Sequence, residues 1–302
     1  MAINNGKNKI NRGSVAETKF SGLAFSWLLV SFFALSFGLS IILTLAKVEE
    51  PYPDWAIYLQ YLLPVIALGC ASVWYFFKTQ KTPSALLKSQ RFHPKYYVIA
   101  ILQQVGLLSL AELNTLFLTW LQRFGYKPQV PALPSLNGFG VVGVLLTVAV
   151  LPAIFEEIFF RGVLLRGCRA FGDIGAAIVC GGIFALYHQN PAQTIYQFCC
   201  GFAFALVAMR AGSVLPTILS HFLNNALIIL LTKFGITSYT MPVYIVLLCV
   251  SIPCLIGTLG YLLFFDKHKS EGKKGTKKEF LMGALIGLII CVLTWVSALF
   301  MG

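Results

Sequence analysis

Charged residues are scarce in this chain of 302 residues. They make up 11% of it, against about a quarter of an average soluble domain, whereas hydrophobic residues make up 58%. This scarcity excludes a water-soluble core, which could not bury so much apolar surface. Apolar stretches of about 20 residues recur from end to end, and this pattern is typical of a polytopic helical membrane protein. We therefore predict an all-α membrane bundle of about eight or nine transmembrane helices.

The predicted spans leave no room for a soluble domain. Residues 1–20 are predicted to form a cytoplasmic basic tail and residues 21–301 a single transmembrane domain. The fifth and sixth spans are short and are separated only by the turn HQNPAQ, so the number of helices stays open between eight and nine. The spans are predicted near 21–46, 55–77, 97–121, 137–168, 173–189, 193–210, 214–232, 242–265 and 280–301.

Signals for export and for cysteine-based sites are also missing. No small-residue cleavage site follows the first span, so we expect a retained helix rather than a signal peptide. The eight cysteines lie within or at the ends of spans and show no metal-type pairing. A disulfide framework would need them in the loops. We interpret them as small apolar residues of the helices.

Basic residues are abundant, and their distribution is uneven. The net charge is +12, and all but four of the 23 lysines and arginines fall on one side if the N-terminus is cytoplasmic. This is the positive-inside bias of membrane proteins, so the charge indicates orientation and not nucleic-acid binding. The sequence predicts an integral multi-pass protein with the lipid bilayer as partner, in the plasma membrane if the source is prokaryotic. The four exceptions are Lys47, Arg123, Lys127 and Lys233.

Two glutamates and an arginine interrupt the fourth span. Ionised groups inside a membrane are costly and mark functional sites. Arg161 follows Glu157 by four residues, a spacing at which side chains on a helix meet. Glu156 points about 100° away from Glu157. We therefore predict that Glu157 pairs with Arg161 and that Glu156 is left free for chemistry.

Two of the four histidines lie in later spans. His188 follows Phe184 by one helical turn, and Asn225 follows His221 by one turn. At about 1.5 Å per residue, Glu156, His188, His221 and Asn225 lie roughly 20, 22, 14 and 20 Å from the inner membrane edge. Each could act alone as an interhelical hydrogen-bonding residue. Their similar depth favours a shared hydrated site.

These groups suit hydrolysis. A carboxylate can take a proton from water, and a neutral histidine can hold that water or bind a metal. An amide and a second imidazole can donate hydrogen bonds to an oxyanion. The set requires no serine or cysteine nucleophile.

Three motifs resemble those of a known family. EEIFFR (Glu156–Arg161), FALYH (Phe184–His188) and HFLNN (His221–Asn225) match, in order, the EExxxR, FxxxH and HxxxN motifs of the CAAX protease and bacteriocin-processing (CPBP) family. The resemblance covers about residues 137–232. It implies an intramembrane endopeptidase of the CAAX protease type, acting on a peptide or protein substrate in the membrane.

The resemblance also implies roles for these residues. Glu156 and His188 would activate water, and His221 and Asn225 would stabilise the oxyanion. Glu157, Arg161 and Phe184 would support them. Whether a metal takes part stays open: zinc, if present, would be held by Glu156, His188 and His221. The zinc helix signature HExxH is absent, and we favour a site without metal.

Two other functional classes are compatible with buried polar residues in a membrane protein. A transporter or ion-binding protein would also carry buried carboxylates, but it would show two related halves, which the sequence does not. A non-catalytic scaffold or bacteriocin-immunity protein is the other alternative. A prenylated substrate and a leader peptide both remain open. Four polar residues of the third span are predicted to line a cavity or to bond between helices: Gln103, Gln104, Glu112 and Asn114. Tyr187 and Gln189 flank His188 and could support it.

Overall fold

A computed structural model describes residues 12–84, 93–128, 131–236, 240–267 and 274–300. In this part of the chain all regular secondary structure is helical, and no strand is present. Nine helices follow one another: α1 (Arg12–Leu45), α2 (Asp54–Thr79), α3 (Lys95–Gln122), α4 (Gly140–Phe171), α5 (Asp173–Tyr187), α6 (Thr194–Ala211), α7 (Leu215–Lys233), α8 (Met241–Phe265) and α9 (Lys277–Phe300).

Eight of these helices are long and apolar enough to cross a membrane, counting the turn Pro191–Gln193 as the start of α6. This confirms the prediction of an all-α polytopic bundle. The exception is α5, which has only 15 residues. Helix α1 begins at Arg12, so the described part of the predicted basic tail is helical. Residues 1–11 of that tail lie outside the described residues.

One side of the bundle, which we call the basic face, contains the start of α1 and the connections α2–α3, α4–α5, α6–α7 and α8–α9. Ion pairs join these segments. Glu17 of α1 pairs with Lys81 and, at 3.4 Å, with Arg166. Lys95 Nζ lies 3.2 Å from the Asp266 carboxylate. The ends of α1, α2, α3, α4 and α8 are therefore tied together on this side.

The opposite side, which we call the neutral face, contains the connections α1–α2, α3–α4 and α7–α8 and the end of α9. The Ser135 amide donates to Asp54 Oδ1 at 3.1 Å, and the Tyr61 hydroxyl donates to the Ala132 carbonyl at 3.0 Å. Basic residues exceed acidic residues by only one on this side: Lys47, Arg123, Lys127 and Lys233 against Glu49, Glu50 and Asp54.

The charge difference between the two faces predicts the orientation of the protein. The face rich in lysine and arginine stays in the cytoplasm, because basic loops are retained there. A reporter fused near residue 272 should give a cytoplasmic signal, and one near residue 130 an external signal. The reverse signal at either position would contradict the orientation.

Helix α4 occupies the centre of the bundle and contacts α1, α2, α5 and α7. Two π-helical segments, Leu145–Val150 and Ile158–Leu164, flank the α-helical stretch Leu151–Glu157. Such segments insert an extra residue into a helix, re-aim its side chains and occur often at functional sites. The two glutamates of α4 lie at the boundary of the second segment.

Glycines let α5 and α6 pack at backbone distance. A Cβ atom placed on Gly201 would lie 2.7 Å from the Gly181 Cα atom, so neither position has space for a side chain. Small residues allow such close approach between membrane helices. The hairpin α5–α6 is therefore closely packed, and its connecting turn, residues 188–193, contacts α3 and α9.

Candidate active site

Glu157 forms the buried ion pair that its spacing predicts. Arg161 Nη1 donates to Glu157 Oε1 at 2.7 Å, and both side chains are 0% exposed. The guanidinium also lies 4.4 Å from the centre of the Phe184 ring, a cation–π contact, and donates to the Gly201 carbonyl at 3.4 Å. These contacts join α4 to α5 and α6 and fix the Glu157 carboxylate.

His221 of α7 lies between the two glutamates. Its Nδ1 is 2.9 Å from Glu157 Oε1, and its Nε2 is 3.8 Å from Glu156 Oε2. Since a carboxylate accepts, Nδ1 carries the proton of that hydrogen bond. The bond to Glu157 therefore orients the ring so that Nε2 lies on the Glu156 side.

Glu156 differs from Glu157 in its partners and exposure. The buried Oε2 atom of each glutamate has no hydrogen-bond partner, but Glu157 is held through Oε1 by Arg161 and His221, and the Glu156 side chain is 12% exposed, against 0% for Glu157. A buried polar atom without a partner is costly and rare. Glu156 is thus the carboxylate with an oxygen available to a ligand.

His188 is placed at the C-terminal end of α5. Its Nδ1 lies 2.8 Å from the Phe184 carbonyl, and because a carbonyl can only accept, Nδ1 is the protonated nitrogen. Nε2 therefore carries the lone pair. The Phe184 ring centre lies 4.7 Å from the His188 ring and 6.0 Å from the His221 ring. The structure thus brings the predicted residues of α4, α5 and α7 together around one phenyl group.

Asn225 lies one helical turn beyond His221 and is half-buried. Its Nδ2 donates to the Val148 carbonyl of α4 at 3.2 Å, and its Oδ1 accepts from Asn224 Nδ2 at 3.1 Å. An amide NH₂ group has two donors, so these bonds leave one N–H of Asn225 for another acceptor.

A polar network beside Asn225 was not predicted from the sequence. Asn224 Oδ1 accepts from Gln104 Nε2 at 2.9 Å and from the Tyr196 hydroxyl at 2.8 Å. Asn224 in turn holds the Asn225 amide. The sequence contained a signal for Asn224, because it follows His221 by three residues and shares its helix face.

The other polar residues of α3 do not share one role, and only Asn114 shows the predicted bonding between elements. Asn114 bonds between elements: it donates to the Ala192 carbonyl at 2.6 Å and accepts from the Tyr196 amide at 3.1 Å. Glu112 is exposed on the bundle surface. Gln103 is fully buried, and neither of its amide atoms has a hydrogen-bond partner.

The two residues that flank His188 differ from each other. Tyr187 packs on the Phe160 ring at 5.1 Å between centres. Gln189 takes a left-handed backbone conformation, with φ of 50°, where the chain leaves α5. Gln189 therefore ends the helix directly after His188, which keeps the imidazole at the tip of α5.

The donor groups do not fit a zinc ion. Among the described residues, no group of three or more histidine, cysteine, aspartate or glutamate side chains could hold a metal. Glu157, the carboxylate bonded to His221, is occupied by Arg161. We therefore derive the chemistry of the site from its side chains alone.

Fold and site together define a polytopic helical membrane protein with a glutamate, histidine and asparagine cluster inside its bundle. Residues 138–227 match the family model described as Rce1-like: Type II CAAX prenyl endopeptidase Rce1-like. The match confirms the resemblance to CAAX-type proteases that the three motifs indicated, and all four candidate catalytic residues lie within it. In the two other comparisons, no curated protein and no solved structure matched the chain.

Proposed function

We propose that the protein is an intramembrane endopeptidase that hydrolyses a peptide bond with water activated by Glu156 and His188. The observation that supports it most is the Glu156 carboxylate, which is 12% exposed and lies 3.8 Å from His221 Nε2, whereas Glu157 is sealed and bound to Arg161. The match to a protease family supports a peptidase in general. The stretch that matches contains every residue in the proposed mechanism.

The first step is deprotonation of water. The water donates one hydrogen bond to Glu156 Oε2 and one to the lone pair of His188 Nε2. Glu156 accepts the proton as the water oxygen attacks the carbonyl carbon of the scissile bond. Two acceptors on different helices fix the position of the water, and this positioning contributes to the rate in addition to the proton transfer.

The second group of residues faces the negative charge that develops on the carbonyl oxygen. The remaining N–H of Asn225 and the His221 ring lie on one face of α7 and serve as donors to this oxyanion. Because Nδ1 holds the proton that bonds Glu157, His221 donates through Nε2 in its imidazolium form, with a proton on each nitrogen. Collapse of the tetrahedral intermediate breaks the carbon–nitrogen bond. Glu156 then returns its proton to the leaving amine, so the products are a carboxylic acid and an amine.

Glu157 and Arg161 act by positioning. Glu157 orients the His221 ring through Nδ1, and Arg161 neutralises Glu157. Because a carboxylate without such a partner is expensive in the membrane, this pair also stabilises the fold. The two adjacent glutamates therefore have different tasks.

Hydrolysis by purified protein tests the proposal. We expect the wild-type protein in detergent or liposomes to release fragments from a pool of membrane-associated peptides, detected by mass spectrometry, and Glu156→Ala to release none. Glu112→Ala, which changes an exposed glutamate of α3, is the matched control and should retain activity. If the wild-type protein and both variants release no fragment from any peptide, the peptidase assignment fails. Binding of a partner protein by the wild-type protein would then support the scaffold alternative, and ion movement would support the transporter alternative.

A further inference from the structure

Burial around Glu156 differs between the two faces of the bundle. On the side towards the basic face, the site rests on a layer of fully buried residues, in which the Arg161 side chain is paired with Glu157. No path for a peptide can pass through a layer packed in this way. The members of this layer with 0% exposure are Phe159, Phe160, Thr217 and Ser220.

Towards the neutral face, exposure increases. His188 and the two residues that follow it, Gln189 and Asn190, are half-buried, and so are Asn225 and Val148 on the two facing helices. Glu156, which retains some exposure, lies between these groups and the sealed layer. The site is therefore closed on the basic side and more open on the neutral side.

The lengths of the helices explain this difference. The turn 188–193 contacts α3 at Asn114, yet α3 continues for eight more residues, about 12 Å, to the neutral face. Counted from the Asn225–Val148 hydrogen bond, α7 and α4 also continue for eight residues each. The hairpin α5–α6 thus ends deeper in the bundle than its neighbours, and Tyr126 of the α3–α4 connection reaches its turn from the neutral side.

The residues of this turn suit an extended peptide. Asn190 is held by the Tyr126 hydroxyl at 3.4 Å and by the Ala192 amide at 3.0 Å, so the turn is fixed. Gln189 and Gln193 add half-buried amides. Amide side chains can pair with the N–H and C=O groups of an extended chain. The charged residues of the neutral face nearly cancel, so the face gives little preference for an acidic or a basic substrate.

We infer that the candidate site is reached only from the neutral face, which the charge distribution places outside the cytoplasm, and that its substrate is a membrane-anchored peptide whose scissile bond lies on the extracytoplasmic side. The sidedness stands on burial, helix length and charge. The substrate class rests in addition on the proposed function. A cytoplasmic protein tail would meet the sealed basic face.

Cysteine labelling with a membrane-impermeant maleimide tests this access. In the full-length chain with its eight native cysteines replaced by serine or alanine, Gln193→Cys places a thiol on the turn. Asn137→Cys marks the neutral face, Lys278→Cys the basic face and Ser220→Cys the sealed layer. We expect Gln193→Cys and Asn137→Cys to label in intact cells, Lys278→Cys only in inverted vesicles, and Ser220→Cys in neither. Size-exclusion chromatography of each variant verifies folding.

The results separate this inference from the proposed function. Labelling of Gln193→Cys from the side of Lys278→Cys, or from neither side, overturns the inference without touching the peptidase assignment. Labelling of both Gln193→Cys and Asn137→Cys from the cytoplasm overturns the extracytoplasmic substrate. If the labelling is as expected but the peptide-release assay shows no activity, the inferred access from the neutral face is supported and the peptidase assignment is contradicted.

Discussion

Replacement of Glu156 by glutamine is expected to abolish peptide hydrolysis and to leave the protein folded. Glutamine keeps the shape of the side chain but cannot take a proton from water. Glu156 Oε2 has no hydrogen-bond partner to lose, so the fold does not depend on it. The check is a pair of measurements: turnover below detection, and thermal unfolding in detergent near the wild-type midpoint.

The neighbouring substitution, Glu157→Gln, provides the contrast. It removes the negative charge that Arg161 and His221 share, and it leaves a buried guanidinium without its counter-ion. Loss of one partner of a buried pair costs about 3–5 kcal/mol. We expect a clearly lower unfolding midpoint and less folded protein. An equal loss of folded protein in the two variants would contradict the division of tasks between Glu156 and Glu157.

Much of the fold could be predicted from the sequence, because the signals were local. Hydrophobic runs located the helices, since a span of the membrane needs about 20 apolar residues. The four-residue spacing of Glu157 and Arg161 predicted their contact, because helix geometry fixes which neighbours meet. The count stayed open only at α5, since its 15 residues are too few for a typical span and too apolar for a loop.

The contacts between helices could not be predicted in the same way. Periodicity shows which residues share a face of α7, but not how α7 is rotated against α4. Two π-helical segments change that rotation, and no pattern in the sequence predicted them. The resemblance assigned His221 to the oxyanion or, if a metal is present, to zinc, whereas the structure places its ring between Glu156 and Glu157. For the same reason, the hydrogen bond from Gln104 to Asn224, which joins α3 to α7, could not be predicted.

Removal of the Asn225 amide is expected to reduce kcat without weakening substrate binding. Loss of a single donor to an oxyanion lowers kcat by roughly 10²–10³, and KM changes little because the bond forms only in the transition state. Asn225→Ala tests this. Its bond to the Val148 carbonyl also ties α7 to α4, so thermal unfolding must be measured alongside. A rise in KM with kcat unchanged would show that Asn225 binds substrate instead.

The same kinetic assay decides the question of metal. No group of donors among the described residues fits zinc, so we expect purified active protein to carry substoichiometric metal. Activity should then survive a chelator and still fail in Asn225→Ala. In a zinc enzyme, by contrast, alanine at either histidine releases the ion together with activity. Stoichiometric zinc that is lost and restored with activity would contradict the metal-free mechanism and would leave the peptidase in place, because zinc held by Glu156, His188 and His221 would supply activation of the same water.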